Sequence, residues 1–134
     1  MTPEEAIRRE LLLAAGVAAL VDGRVHVAAL PQKSPYPAVV IHLVSAPRDH
    51  HMEGASGFVE ARYQVNCHGG PAVARALELS RTVRLALDGF SGTMGGAAGV
   101  SVHGAFLEDT RVGRDDDLID HWVEMDFLIQ FTDR

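Results

Sequence analysis

The chain contains one cysteine and one lysine, and each of these low counts argues against particular structural or functional classes. Cys67 is the single cysteine, so no disulfide can form within the chain, which is typical of a protein that folds in a reducing compartment. Lys33 is the single lysine, and the formal net charge is −6. Because phosphate contacts require clustered lysine and arginine, this composition argues against direct nucleic-acid binding.

Long hydrophobic runs are also missing. The most apolar stretch near the start, residues 11–21, is interrupted by Gly16 and is too short to cross a bilayer. With 134 residues, 47% hydrophobic and 22% charged, the composition is that of one globular domain with its own core. We therefore expect a single domain over residues 1–134.

Two segments have the periodicity of amphipathic helices. Thr2, Pro3 and Glu5 form a capping pattern that predicts a helix ending near Gly16, with one further turn over residues 17–20. A second helix is predicted from Pro71 to about residue 87. Its core-facing stripe consists of Ala72, Ala76, Leu79, Val83 and Leu87.

Four segments favour β-strands: residues 38–45, 58–67, 100–107 and 118–131. The second and fourth alternate apolar and polar residues, which is typical of strands with one buried face. The sequence therefore predicts an α+β fold with an antiparallel, four-stranded or slightly larger sheet and two main helices packed on one face. Residues 46–57 and 90–99, rich in polar residues and glycine, are expected to be loops.

No motif for catalysis or metal binding emerges from the sequence. The seven histidines lack the paired spacing of zinc sites, and residues 115–117, three aspartates, lack the spacing of an EF-hand. The glycines at 95–99 precede a strand and no lysine follows them, unlike a phosphate-binding loop. We therefore expect a protein that is not an enzyme, with no catalytic residues, no cofactor and no metal.

Short strings in order along nearly the whole chain resemble the phage tail completion family, which also occurs in prophages and gene transfer agent clusters. The strings lie at residues 5–7, 20–25, 30–32, 36–41, 48–50, 61–67, 74–77, 83–89, 104–109 and 125–127. Among them, the turn into Gly23-Arg24-Val25 and the strand around Tyr63 are typical of the family. Their order, more than any one string, makes the resemblance.

The resemblance implies a tail terminator, a structural virion protein that forms a ring, usually a hexamer, at the head-proximal end of the tail tube. Its partners would be other copies of itself, the tail tube protein and a neck or stopper protein. DNA would pass through the lumen without sequence-specific binding, and no membrane would be involved. The protein would be assembled in the bacterial cytoplasm and reside in the particle. Two alternatives stay open: a head–tail connector (stopper or adaptor), and a small metal- or ligand-binding enzyme.

Polar residues on the second predicted strand and in two predicted loops, 46–57 and 111–117, are candidates for contacts between subunits. Met52 and Phe58 would be apolar anchors among them. Simple exposure to solvent is the alternative interpretation of the polar strand face. The candidate interface residues are Arg48, Asp49, Met52, Phe58, Glu60, Arg62, Arg111 and Arg114.

Overall fold

The N-terminal helix begins where its capping pattern predicts. In the computed structural model, which describes residues 1–51, 54–117 and 119–132, helix α1 spans Pro3–Leu13. Thr2 Oγ1 accepts a hydrogen bond from the Glu5 N–H at 3.2 Å, which satisfies one of the amides left unpaired at a helix start. The predicted further turn is a separate helix, α2, at Ala15–Val21.

Helix α3 spans Val73–Leu87 and packs through the predicted stripe. Ala76, Leu79, Val83 and Leu87 are buried, whereas Ala72 precedes the helix as its N-cap. Within the described residues, no helix combines the length and apolar character needed to cross a membrane.

Seven strands are present in the described part of the chain. They are β1 Val25–Val27, β2 Ala38–Ser45, β3 Arg48–His51, β4 Gly54–Gly70, β5 Gly92–Met94, β6 Val100–Asp115 and β7 Asp120–Thr132. Six of them follow one path in the order β1-β2-β4-β7-β6-β5, and β3 pairs with β4 beside this path. The β1–β2 pair is parallel and the other pairs are antiparallel, so the sheet is mixed. It curves into a half-barrel.

The predicted four-stranded antiparallel sheet with two main helices is therefore wrong. Strands β1, β3 and β5 are only three or four residues long, too short for alternation of apolar and polar residues to stand out. Strand β3 and the start of β4 occupy the predicted loop 46–57, and β5 lies in the predicted loop 90–99. Each of these short strands is defined by backbone pairing with a longer neighbour, which the local sequence does not reveal.

One face of the sheet and the three helices enclose a single core. Along β7, every second residue from Val123 to Phe131 is buried, as the alternation predicts. Strand β4 shows the same alternation, and its buried residues are Val59, Ala61, Tyr63, Val65 and Cys67. Each large side chain buried here contributes roughly 1.5–3 kcal/mol by leaving water. The opposite face of these strands carries polar side chains, and it is the first candidate for function.

Candidate functional site

The polar face of strands β4, β7 and β6 forms one surface, with β7 in the middle. The register places Asp126 of β7 between Gln64 of β4 and Asp109 of β6. We call this surface the acidic face, because two arginines meet five carboxylates on it. Its charged residues are Glu60, Arg62, Glu108, Asp109, Arg111, Glu124 and Asp126.

Arg111 organises the acidic face by binding three carboxylates. Its Nη1 and Nη2 donate to the two oxygens of Asp126 at 2.8 and 3.1 Å, a bidentate pair. Nη1 also donates to Asp109 at 2.6 Å, and Nε donates to Glu124 at 3.2 Å. These hydrogen bonds, led by the one to Asp126, raise the pKa of Arg111 above its ordinary value. The hydrogen bond from Arg111 is likewise the largest cause that lowers the pKa of Asp126.

The lowered pKa of Asp126 predicts a pH dependence of stability. Because the folded state holds this carboxylate ionised more strongly than the unfolded chain does, Asp126 stabilises the fold above its ordinary pKa, near 3.8. That contribution is lost as the pH falls through the lower folded pKa. We expect Asp126→Asn to reduce the drop in the free energy of unfolding below about pH 4, measured by urea denaturation at several pH values. Glu78→Gln, which changes an exposed carboxylate of α3, is the matched control. Equal pH slopes for both variants would contradict the assignment.

A polar groove lies beside Arg111. It has a volume of about 400 Å³ and is lined by Val44, Arg62, Tyr63, Gln64, Glu108, Asp109, Arg111 and Asp126. Arg62 and Glu108 form an ion pair at this groove. The charged side chains that line the groove are ion-paired and half-exposed. The groove is therefore better suited to a polar side chain of a protein partner than to an apolar small molecule.

A second cluster lies where β4 ends and β7 begins. Asp120 is 3% exposed; its Oδ2 lies 2.7 Å from His68 Nδ1, and its Oδ1 accepts the Gly70 N–H at 3.1 Å. The His68 and Trp122 rings are 5.7 Å apart. Asp120 is thus a buried polar residue at the start of β7. Only alignment of β4 with β7 brings its partners together, so the local sequence contains no signal for this cluster.

A cavity of about 780 Å³ adjoins His68 and Asp120, and residues 30–34 form much of its wall. Tyr36 also lines it. Burial, and then the charges of Asp120 and Asp115, raise the pKa of the Tyr36 hydroxyl. The wall combines aromatic, acidic and basic side chains, and it contains Lys33.

The single tryptophan reports on the β6–β7 pairing. A Cβ at Gly113 would lie 2.4 Å from Trp122 Nε1, and this indole N–H donates to Glu124 at 3.0 Å. We therefore expect Gly113→Ala to displace the indole, shift its fluorescence emission to longer wavelength and cost about 1 kcal/mol. Gly16→Ala in α2, where a Cβ would lie no closer than 3.5 Å to Thr82, serves as the control. Unchanged emission in Gly113→Ala would show that the contact is not tight.

Three of the predicted interface residues lie on the acidic face. Glu60 accepts a hydrogen bond from Gln130 at 3.1 Å, Arg62 pairs with Glu108, and Arg111 binds its three carboxylates. The structure thus brings Arg62 and Arg111 together around one groove. Sequence reasoning missed the carboxylates that bind them.

Of the other predicted interface residues, Phe58 and Arg114 do not line this groove. Arg48 and Asp49 belong to β3, and Met52 lies outside the described residues. Phe58 packs against His103 with ring centroids 5.9 Å apart. Arg114 pairs with Asp116 at 2.8 Å. Its segment, predicted as a loop, continues strand β6 to Asp115.

Metal and thiol chemistry find no support in the described residues. In residues 1–51, 54–117 and 119–132, no group of three or more histidine, cysteine, aspartate or glutamate side chains is placed to hold a metal ion. Cys67 is fully buried, and that burial raises the pKa of its thiol. It is a small core residue, as its place in the alternating strand predicts.

The fold resembles a subunit of a virus-like particle. A chain in a solved structure described as "Virion of native gene transfer agent (GTA) particle" superposes with a TM-score of 0.78 over 97% of this chain and 94% of the other, at 17% sequence identity. At that identity the likeness shows a shared fold. A search of curated proteins finds no match.

The sequence also matches a family profile almost end to end. The family is described as "Tail completion protein gp17", and the match covers residues 5–131. The chain therefore belongs to this family of structural phage tail proteins, and the resemblance inferred from the sequence is confirmed.

Proposed function

We propose that the protein is a tail terminator, a non-enzymatic subunit that assembles into a ring, a hexamer by our expectation, on the head-proximal end of the tail tube. The family match over residues 5–131 carries the proposal. The fold shared with a chain of a gene transfer agent virion supports it. The ring would stop polymerisation of the tube and join it to the neck.

Such a ring needs contacts with three kinds of partner. Copies of the chain contact one another, the tail tube protein binds one side of the ring, and a neck or stopper protein binds the other. A cyclic ring uses two different surfaces of each subunit, which meet head to tail and close by rotation. The protein would be assembled in the bacterial cytoplasm and then reside in the particle.

The acidic face suits the lumen of this ring. Its carboxylates outnumber its arginines, and both arginines are already ion-paired. A wall of this charge repels the phosphate backbone, so DNA passes without being held. The face would then require no sequence-specific contact with DNA.

Deletion of the gene tests the proposal. We expect particles whose tails have abnormal length or are not joined to heads, and restoration of normal tails when the gene is supplied in trans. Normal tails on filled heads in the deletion would disprove the terminator role. Cryo-electron microscopy of wild-type particles separates the two neck positions: density at the tube end supports a terminator, and density against the portal supports a connector.

A further inference from the structure

Among the residues that the structure describes, no strand lies beside much of the outer edge of β6. It runs from Val100 to Asp115, but β5 pairs with residues 100–102 alone. The outer backbone groups of Ala105 bond to Gly89 and Phe90 at 2.7 and 3.0 Å. After residue 107, no strand in the described part of the chain lies beside this edge.

The register shows which backbone groups face outward. The backbone N–H and C=O of Ala105 form their hydrogen bonds on the side away from β7. Ala105 and its partner Ile129 are therefore a non-hydrogen-bonded pair, and the N–H and C=O of Ile129 point toward β4. Because the direction of the backbone N–H and C=O alternates from one residue to the next along β7, those of Val123 also point toward β4. Val112 opposes Val123, so the N–H and C=O of Val112 point away from β7. The Val112 side chain is also 60% exposed.

On the other side of the sheet, the edge of strand β2 beyond residue 41 has no neighbouring strand within the described residues. Strand β1 pairs with β2 through residues 39–41, and the Ile41 C=O accepts the Ala28 N–H at 2.8 Å. Leu43 lies two residues after Ile41 on the same strand, so its backbone N–H and C=O also point away from β4. Leu43 is 50% exposed and Val44 60% exposed.

We propose that the β6 edge at residues 112–114 of one copy pairs with the β2 edge at residues 43–45 of the next copy. An open edge with exposed apolar side chains is a template for another strand, and this chain supplies two such edges on opposite sides of one sheet. Pairing two different edges is a head-to-tail contact, which closes into a ring. The joined sheets would place neighbouring acidic faces side by side. The inference rests on the proposed ring.

Proline substitutions test the two edges. Val112→Pro and Leu43→Pro each remove an N–H that faces away from the sheet's own ladder, so the fold can keep its hydrogen bonds. We expect either variant, supplied to the deletion strain, to leave tails as abnormal as in the deletion. Val112→Thr keeps the N–H and should restore normal tails. If Val112→Pro restores normal tails, the edge pairing is wrong, although the terminator role would stand.

Cross-linking in assembled particles gives an answer that does not depend on how well the proline variants fold. The double variant Leu43→Cys/Val112→Cys is treated with a bismaleimide, to which the buried Cys67 is inaccessible. We expect a ladder of covalent multiples of the 14.4 kDa chain, and no ladder from either single variant. Normally tailed particles without a ladder, or with Val112→Cys linked to a different protein, would overturn the inference. Normal tails in the deletion would instead overturn the terminator role itself.

Discussion

Phe127→Ala is expected to lower the free energy of unfolding by about 3–5 kcal/mol, the usual cost of emptying a large aromatic site in a core. Phe127 is fully buried in β7, the middle strand, and it lies between Tyr63 of β4 and Leu107 of β6. A domain of this size is stable by about 5–15 kcal/mol in total, so the variant should be close to unfolded at moderate temperature. Urea denaturation followed by circular dichroism measures the loss.

The adjacent residue provides the control. Leu128 points to the opposite face of the sheet, is half-buried, and lies across from Arg62 and Phe106. Leu128→Ala also truncates a large apolar side chain, yet it leaves no closed cavity, so we expect a loss of about 1 kcal/mol. If the two variants lose equal stability, the division of the sheet into a core face and a polar face is wrong.

That division could be predicted from the sequence, since burial of one face imposes a period of two on a strand. The alternation around Tyr63 and Phe127 identifies β4 and β7, and the buried stripe that includes Leu79 identifies α3. These elements are long, and each repeats its pattern several times. In elements long enough for the pattern to repeat, the pattern of apolar residues in the sequence agrees with the burial seen in the structure.

The short strands β1, β3 and β5 and the second half of β6 could not be predicted as parts of the sheet, because their pairing depends on distant parts of the chain. The second half of β6 buries none of its large side chains: Val112 is exposed, and Arg111 is held by ion pairs to Asp126 and Glu124. No alternation of burial therefore marks it as a strand. Its extension follows from hydrogen bonding to β7 over residues 109–115.

The candidate site was predicted only in part, for the same reason. The polar pattern of β4 points to Glu60 and Arg62, but the partner of Arg62 is Glu108. A register shift between Leu107 and Asp109 makes Glu108 the extra residue of β6 at this point. A shift of that kind has no signature in the local sequence. The groove around Arg111 could therefore be described only once the three strands were aligned.

Asp120→Ala is expected to lower the free energy of unfolding by about 2–3 kcal/mol, since it leaves the buried Gly70 N–H and the partly buried His68 Nδ1 without the carboxylate that they contact. His68 Nδ1 and the Gly70 N–H would both lose their partner, where β4 turns toward α3. Gly70 has φ +69°, and Tyr36 packs against it, so the turn has little freedom to find another acceptor. Urea denaturation measures the loss, and emission of Trp122 reports any movement of its His68 neighbour.

Two further variants distinguish the loss of stability caused by removing the Asp120 carboxylate from the effect of any substitution near this turn. Asp120→Asn keeps an oxygen for the Gly70 N–H but lacks the charge that faces His68, so its loss should be intermediate. Asp117→Ala changes an exposed aspartate of the same hairpin and should alter stability by less than about 0.5 kcal/mol. If Asp120→Ala cost no more than Asp117→Ala, this end of the sheet would be held by packing of Tyr36 and Trp122.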